Sequence, residues 1–307
     1  MTARPSGQEY ELVHQSQRAT VVQVGAGIRS YRYGSRDIVD GYGRDQAASG
    51  SRGQLLIPWP NRIAGGRYRF GERDLQLPVN EPATGSAIHG LTRSMSWRLL
   101  DAGSDRCALA LDLEPQDGYP FRLGLEVVYV LDGAGLATRL TATNRGAEAC
   151  PYGAGAHPYV QVAASALIDA AMLQVPANVT LEPDARGIPT GAAVTVDGTA
   201  FDFRAARRVG STVFDTAFTD LRTDRDGVTR ISLTSAAGDA GVTVWMDGTM
   251  GFAMIYSGDT LADVSRRRRG LAIEPMTCAP DAFNSGAGLV ILEPGASLTS
   301  TWGITPI

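Results

Sequence analysis

Phe121-Arg122-Leu123-Gly124-Leu125-Glu126-Val127-Val128-Tyr129-Val130-Leu131 carries the clearest strand signal in the chain. Phe121, Leu123, Leu125, Val127, Tyr129 and Leu131 fall on one face. That period of two belongs to a pleated strand, whose successive side chains point to opposite sides. Asp132-Gly133 follows as a turn, and Leu136, Thr138, Leu140, Ala142 and Asn144 continue the alternation in the next run. Upstream, Cys107, Leu109, Leu111 and Leu113 alternate in the same way. Apolar strands in succession, separated by turn residues, predict antiparallel pairing around a shared core.

The rest of the chain repeats this style. Ala19 to Val24 is β-branched and ends at Gly25-Ala26-Gly27, and Ser30 to Gly34 alternates polar and aromatic residues. Arg67 to Phe70 and Asp74 to Leu77 flank Gly71-Glu72-Arg73 and predict a hairpin. Ile231 to Thr234, Val242 to Met246, Phe252 to Tyr256, Leu271 to Ile273, Leu289 to Leu292 and Ser297 to Ile304 are further strand candidates. Pro58-Trp59-Pro60 makes a rigid, irregular approach, and Asp40 to Arg52 reads as loop. No long amphipathic helix stands out. The fold class expected is all-β, an antiparallel sandwich or barrel. One large domain over residues 10–307, after a polar and frayed start over residues 1–9, is the simplest division.

Composition narrows the function. The chain has 307 residues, 44% of them hydrophobic and 20% charged, as in ordinary globular proteins. A net charge of −4 gives no electrostatic reason to expect nucleic acid or an anionic membrane as partner. Arg266-Arg267-Arg268-Arg269 reads as a solvated loop before the strand at Leu271. Cys107, Cys150 and Cys278 form no CxxC spacing, which argues against a disulfide framework and a zinc site and makes a reducing, cytoplasmic setting the default. The N-terminus lacks the apolar run of a signal peptide, and no stretch approaches a transmembrane span.

Five residues stand out as candidates for chemistry. His157, in Gly155-Ala156-His157-Pro158-Tyr159, sits at the end of a strand with proline fixing the turn. His89 lies in Ile88-His89-Gly90, where glycine allows close backbone approach. Arg62 follows Asn61 and offers forked donors to an oxygen-rich ligand. Asp215 is a carboxylate among apolar and aromatic neighbours, with Asp220 as its rival. Glu274 ends an apolar strand, a place where partial burial raises a carboxyl pKa towards neutrality. Together they supply an acid, a base and several hydrogen-bonding clamps. The chain has no GxSxG elbow, P-loop or HExxH, and Ser30 stands where a dinucleotide fingerprint needs its third glycine. No cofactor is expected. The sequence separation of His89, His157 and a carboxylate gives a metal site no positive support, and none is expected.

These stretches resemble the aldose 1-epimerase (mutarotase) family. The match runs through Asn61-Arg62-Ile63, Gly66-Arg67-Tyr68, Leu77-Pro78-Val79-Asn80, Ile88-His89-Gly90 and Trp97, then His157-Pro158-Tyr159, Phe214-Asp215 and Glu274 to Asn284. The resemblance implies a large antiparallel β-sandwich of the supersandwich type, with a small-molecule sugar in an open cleft. It also implies that Arg62, His89 and Asp215 hold sugar hydroxyls, that His157 is the acid and that Glu274 is the base. Galactose mutarotases commonly carry a glutamine shortly after the glutamate, where this chain has Pro275-Met276-Thr277, and many relatives have an aromatic residue where Val160 stands. Those departures leave the preferred sugar open, as the sequence leaves the oligomeric state.

The expected reaction is interconversion of the α and β anomers of a free hexose. A hexose-6-phosphate 1-epimerase is the enzymatic alternative, with Arg93, Arg98 and Arg266 to Arg269 as candidate phosphate contacts. A sugar-binding or sensing protein on the same fold is the alternative from another class. A hydrolase or lyase would need a second carboxylate opposite Glu274, for which Asp215 is the candidate.

Overall fold

The computed structural model describes residues 4–163 and 167–307. Two large antiparallel sheets dominate it. The first has nine strands and is centred on the stretch quoted above. Leu123–Asp132 pairs with Arg106–Leu113 on one side and with Gly135–Asn144 on the other, so that Val127 faces both Leu109 and Leu140. Ser297–Pro306 adds beyond Gly135–Asn144, followed by Gly241–Met246 and Thr229–Thr234. The alternation expected from the sequence is the alternation observed. Phe121, Leu123, Leu125, Val127, Tyr129 and Leu131 are all buried. The Tyr129 hydroxyl donates to the Ala26 carbonyl, which satisfies its polar end within the core.

The second large sheet has eight strands. Its order runs Pro189–Thr195, Ala177–Pro183, Asp215–Leu221, Phe252–Tyr256, Leu271–Met276, Gly155–Ala156 and Leu55–Leu56, with Tyr159–Val160 also pairing to Leu271–Met276. One apolar core takes side chains from both sheets, among them Leu140, Val244 and Trp302 from the first and Phe218, Ile255 and Ile273 from the second. A smaller four-stranded sheet, Glu9–His14 through Arg36–Asp37, adds Leu12, Val21 and Tyr31 to the same core. The single α-helix among the described residues is the four-residue Ala282–Ser285.

Two local expectations are corrected, and two strands are added. The polar start is tied down before Tyr10: Ser6 is buried and accepts the Val24 N–H, Gln8 accepts the Gln23 N–H, and Glu9 opens a strand. Glu9 also collects ion pairs from Arg4, Arg29 and Arg44, which anchor the segment electrostatically. Ala177–Pro183 and Pro189–Thr195 are strands that alternation did not reveal, because the outer one is exposed along nearly its whole length. Finally, the arginine run is not a solvated loop. Arg266 Nη1 lies 3.0 Å from an Asp40 carboxylate oxygen, and Arg268 pairs with both Asp169 and Asp259 at 2.7 and 3.1 Å.

Because Leu140 is almost without solvent contact and packs at the centre of the nine-stranded sheet, Leu140→Ala should leave a cavity. Its cost should be about 2–5 kcal/mol of unfolding free energy, read as a lower urea midpoint at unchanged slope.

Candidate active site

Sheet register brings the two central residues together. Gly155 pairs with Met276 and Tyr159 pairs with Ala272, so the same register sets residue 157 directly across from residue 274. Cross-strand neighbours on one face approach closely, and here His157 Nε2 lies 3.2 Å from Glu274 Oε1. The period of two sorts the Leu271–Met276 strand between its faces. Leu271 and Ile273 join the main core, while Glu274 and Met276 point to the other side. Gly155 permits this packing, since a Cβ there would lie 3.0 Å from the Pro275 carbonyl oxygen and from Pro60. His157 is held from its far side as well: its N–H donates to Gln54, and its carbonyl accepts from Gly53.

The same face carries Asp215. It pairs with Tyr256, which pairs in turn with Ala272. Asp215 is half-exposed at the cleft mouth, 3.9 Å from Arg62 Nη1. Arg62 forks onto Glu81, with Nε and Nη2 donating to its two carboxylate oxygens at 2.7 and 3.0 Å. That bidentate geometry fixes the guanidinium and leaves Nη1 towards Asp215.

His89 enters from a strained turn. Asn61 and His89 both have positive φ, 54° and 62°. Gly90 follows at φ 68°, where any Cβ would lie 2.0 Å from the Ile57 carbonyl oxygen. The Asn61 N–H donates to His89 Nδ1 at 3.2 Å, and the His89 N–H returns a bond to the Asn61 carbonyl. With Nδ1 accepting, the neutral ring carries its proton on Nε2. The loop is braced by Asp281, whose N–H donates to the Arg62 carbonyl and whose carboxylate accepts from Ala64 N–H.

Burial sets the protonation of the central pair. It pushes the His157 imidazole down to about 3, with the Arg52 and Arg93 charges acting in the same direction. It pushes the Glu274 carboxyl well above its ordinary value, helped by the Asp215 charge and opposed by Arg62. Burial and the nearby His157 hold His89 well below the usual histidine range. The pair therefore retains one proton between its two members. Among the described residues, His157 Nδ1 and Glu274 Oε2 have no hydrogen-bond partner. The His157 ring stacks on Tyr159, and the Arg52 guanidinium lies 4.3 Å over the other ring's centroid.

All five sequence-predicted residues line one cleft of about 420 Å³. Asp220 does not; it accepts a hydrogen bond from Asn178 instead. Of the proposed phosphate contacts, Arg93 and Arg266 line the cleft, whereas Arg98 lies on the exposed edge strand Arg98–Ala102. Sequence reasoning missed Glu81, Arg52 and Tyr256 as lining residues. Glu81 directly follows the Leu77-Pro78-Val79-Asn80 stretch and had a signal in that adjacency; Arg52 and Tyr256 had none.

His89, His157 and Glu274 offer ligand atoms within 4.8 Å of one another, despite their separation in sequence. The Asn61 N–H aimed at Nδ1 argues against using them as a metal trio. It puts the ring proton on Nε2, the nitrogen a cation would need free. The arrangement suits hydrogen bonding to a ligand and proton exchange at its centre.

Comparison with known proteins gives the family. The aldose 1-epimerase family model matches residues 8–305, and the chain belongs to that family. It is 35% identical to the uncharacterised protein YihR of Escherichia coli K12, over 94% of this chain and 90% of that one. It is 32% identical to human galactose mutarotase, over 50% of this chain and 46% of that one, so it spans about half the length of that relative. In structure it superposes on a GalM/aldose epimerase homologue from C. elegans with a TM-score of 0.87 at 19% identity, over 98% of both chains. A putative aldose 1-epimerase from E. coli K12 gives 0.84 at 21% identity, over 98% of this chain and 99% of that one.

The raised Glu274 pKa has a consequence for stability. Its unfolded value is near 4.5, so above that pH the unfolded chain gives up a proton that the folded chain keeps. Stability contributed by the protonated carboxyl is present at low pH and lost as pH rises towards the folded value. Glu274→Gln removes that dependence. Its melting temperature relative to wild type should rise between about pH 5 and about pH 8; a pH-independent difference would contradict the burial-driven shift.

Proposed function

We propose that this protein is an aldose 1-epimerase that interconverts the α and β anomers of a hexose with a free C1 hydroxyl. The observation carrying this reading is the buried His157–Glu274 pair, 3.2 Å apart in cross-strand register. His157, protonated, donates to the ring oxygen; Glu274, ionised, takes the proton from the C1 hydroxyl. The C1–O5 bond breaks and the aldehyde forms. Rotation about C1–C2 and reclosure, with both transfers reversed, deliver the other anomer. The proton count is unchanged: charged imidazolium and carboxylate become neutral imidazole and carboxylic acid. The neutral form is the one burial favours, so the cleft lowers the energy of the protonation state that accompanies the open chain.

Arg62 and Asp215 serve as hydroxyl clamps at the cleft mouth, and His89 as an Nε2–H donor. No metal or organic cofactor is needed for this proton traffic. Binding alone does not call for an acid facing a base in a buried site, which weighs against a sensor. Glu274 faces an imidazole, which weighs against paired-carboxylate hydrolysis. Three free, buried thiols support a reducing, cytoplasmic compartment.

Anomer exchange by NMR with purified protein is the direct test. His157→Ala and Glu274→Gln should each lose at least about 10²-fold in turnover while remaining folded. If either retained a near-normal rate, the acid–base assignment would be wrong. Arg62→Ala should raise KM and lower kcat together, because it removes a clamp and releases Glu81; an unchanged KM would put Arg62 outside the substrate contacts.

A further inference from the structure

The hairpin of Ala177–Pro183 and Pro189–Thr195 stands at the edge of the eight-stranded sheet. Its outer strand carries no charged residue and is exposed almost throughout, yet its turn is closely specified. The inner strand lies beside Asp215–Leu221, with Leu181 paired to Ala217. The same register carries Pro183 level with Asp215 and the turn just beyond it. Four hydrogen bonds fix that turn. The Asp184 N–H donates to the Ile188 carbonyl at 2.7 Å, and the Gly187 N–H returns to the Asp184 carbonyl at 2.9 Å. One carboxylate oxygen of Asp184 accepts from the N–H groups of Arg186 and Ile188 at 2.8 and 3.0 Å. Ile188 is buried, so the turn is seated on the body of the protein although the strand that follows it is open to solvent.

The turn meets Arg62. Gly187 has φ 76°, and a Cβ there would lie 2.6 Å from Arg62 Nη1, 3.2 Å from Cζ and 3.5 Å from Nε. Only a residue without a side chain fits against the guanidinium. Arg62 lines the cleft and Gly187 does not, so the turn backs the guanidinium from beyond the cleft lining. The tip of an arginine ordinarily yields to a neighbour by turning its last torsions, at little cost to the fold. This one is held. Nε and Nη2 are forked onto Glu81, which also accepts the Thr84 hydroxyl, and Nη1 stands 3.9 Å from Asp215. The planar fork fixes the plane of the guanidinium. A side chain at 187 would therefore break the fork or move Nη1 away from its place beside Asp215. The strain would fall on the site, not on the core.

We propose that Gly187 is a positioning residue for the reaction: the hairpin turn presses bare backbone against Arg62 and so sets the place of Nη1, the donor that Glu81 leaves to a sugar hydroxyl. This rests on the epimerase reading for the sugar and deepens its account of the Arg62 clamp. Glu81 holds one edge of the guanidinium, and Gly187 limits how far the other edge can move.

The test compares Gly187→Ala and Gly187→Asn with Gly191→Ala. Gly191 lies in the same hairpin at φ 90°, and no described atom comes within 4 Å of a Cβ built there. Its alanine carries the strain of a positive φ without touching Arg62. Asparagine tolerates a positive φ, so Gly187→Asn adds a side chain with less backbone strain. In anomer exchange on glucose and galactose, both Gly187 variants should raise KM about tenfold, in the same direction as Arg62→Ala, while Gly191→Ala leaves it unchanged. In an Arg62→Ala background, Gly187→Ala should add nothing. The Arg62 Nε–H resonance, identified by its loss in Arg62→Ala, should move in the Gly187 variants and stay in place in Gly191→Ala; it reads the contact without turnover. An unchanged KM in both Gly187 variants, an equal loss in Gly191→Ala, or a full effect of Gly187→Ala without Arg62 would overturn the proposal and leave the epimerase standing. So would an Nε–H resonance that does not move. No exchange with any sugar would sink the epimerase reading, and a resonance moved by the Gly187 variants alone would then still assign the placing of Arg62 to Gly187.

Discussion

An imidazole and a carboxyl stand 3.2 Å apart, both almost wholly buried at the floor of the cleft, and the rest of the site follows from that constraint. A lone buried carboxylate or imidazolium would give up its charge. Side by side, the two groups can pass one proton between a charged and a neutral form without changing the total charge of the cleft. Holding them so is costly, because His157 Nδ1 and Glu274 Oε2 find no partner among the described residues. Each orphaned buried polar atom costs about 1–3 kcal/mol. The compensation comes from the opposite face of the same strand, where Leu271 and Ile273 enter the core shared by both large sheets. A strand interior fully paired on both sides is the stiffest platform available for such a pair.

The walls of the cleft are built differently from its floor. The floor is regular sheet; the Asn61 to Gly90 wall is irregular, with positive φ at Asn61, His89 and Gly90. Conformations of that kind persist only where the surroundings over-determine them. The determinants are the reciprocal Asn61–His89 bonds, Arg62 clamped on Glu81, and Asp281 reaching the backbone of both Arg62 and Ala64. Phe283 packs edge-on against Trp59 and Tyr68 behind them. The distant Glu274 to Asn284 stretch thus contributes the buried carboxyl from its first residue and the brace of the opposite wall from Asp281.

Much of this was legible in the sequence. Alternation works where one face is buried and the other is not, which is why the strands around Phe121 to Asn144 and the hairpin at Gly71 were readable. It fails at Pro189–Thr195, exposed almost throughout, and at Leu271–Met276, buried on both faces. The five site residues were visible as residues, but not their arrangement. Nothing local announces that position 157 faces position 274, since register between distant strands is decided by the whole sheet. Arg52 was hidden for a related reason: it lies in a loop of glycine, serine and aspartate, and only packing beneath Tyr159 gives it meaning. The arginine run misled because charge clustering in sequence says nothing of Asp40, Asp169 and Asp259, which the fold brings to it from three separate segments.

The departure from the galactose mutarotase pattern after Glu274 acquires a physical sense from the same packing. Met276 is fully buried against Ala217 and Met254 on the cleft face of the sheet. Thr277 spends its hydroxyl accepting the Ala154 N–H and its own N–H on the Ala154 carbonyl. Pro275 has no N–H to give. Neither Pro275 nor Met276 carries a polar side-chain group, and the Ala154 bonds tie Thr277 to the fold. The charged side chains that line the cleft beside the central pair stand at its two ends. At one, Arg62 meets Glu81 and Asp215; at the other, Arg52 and Arg266 divide Asp40.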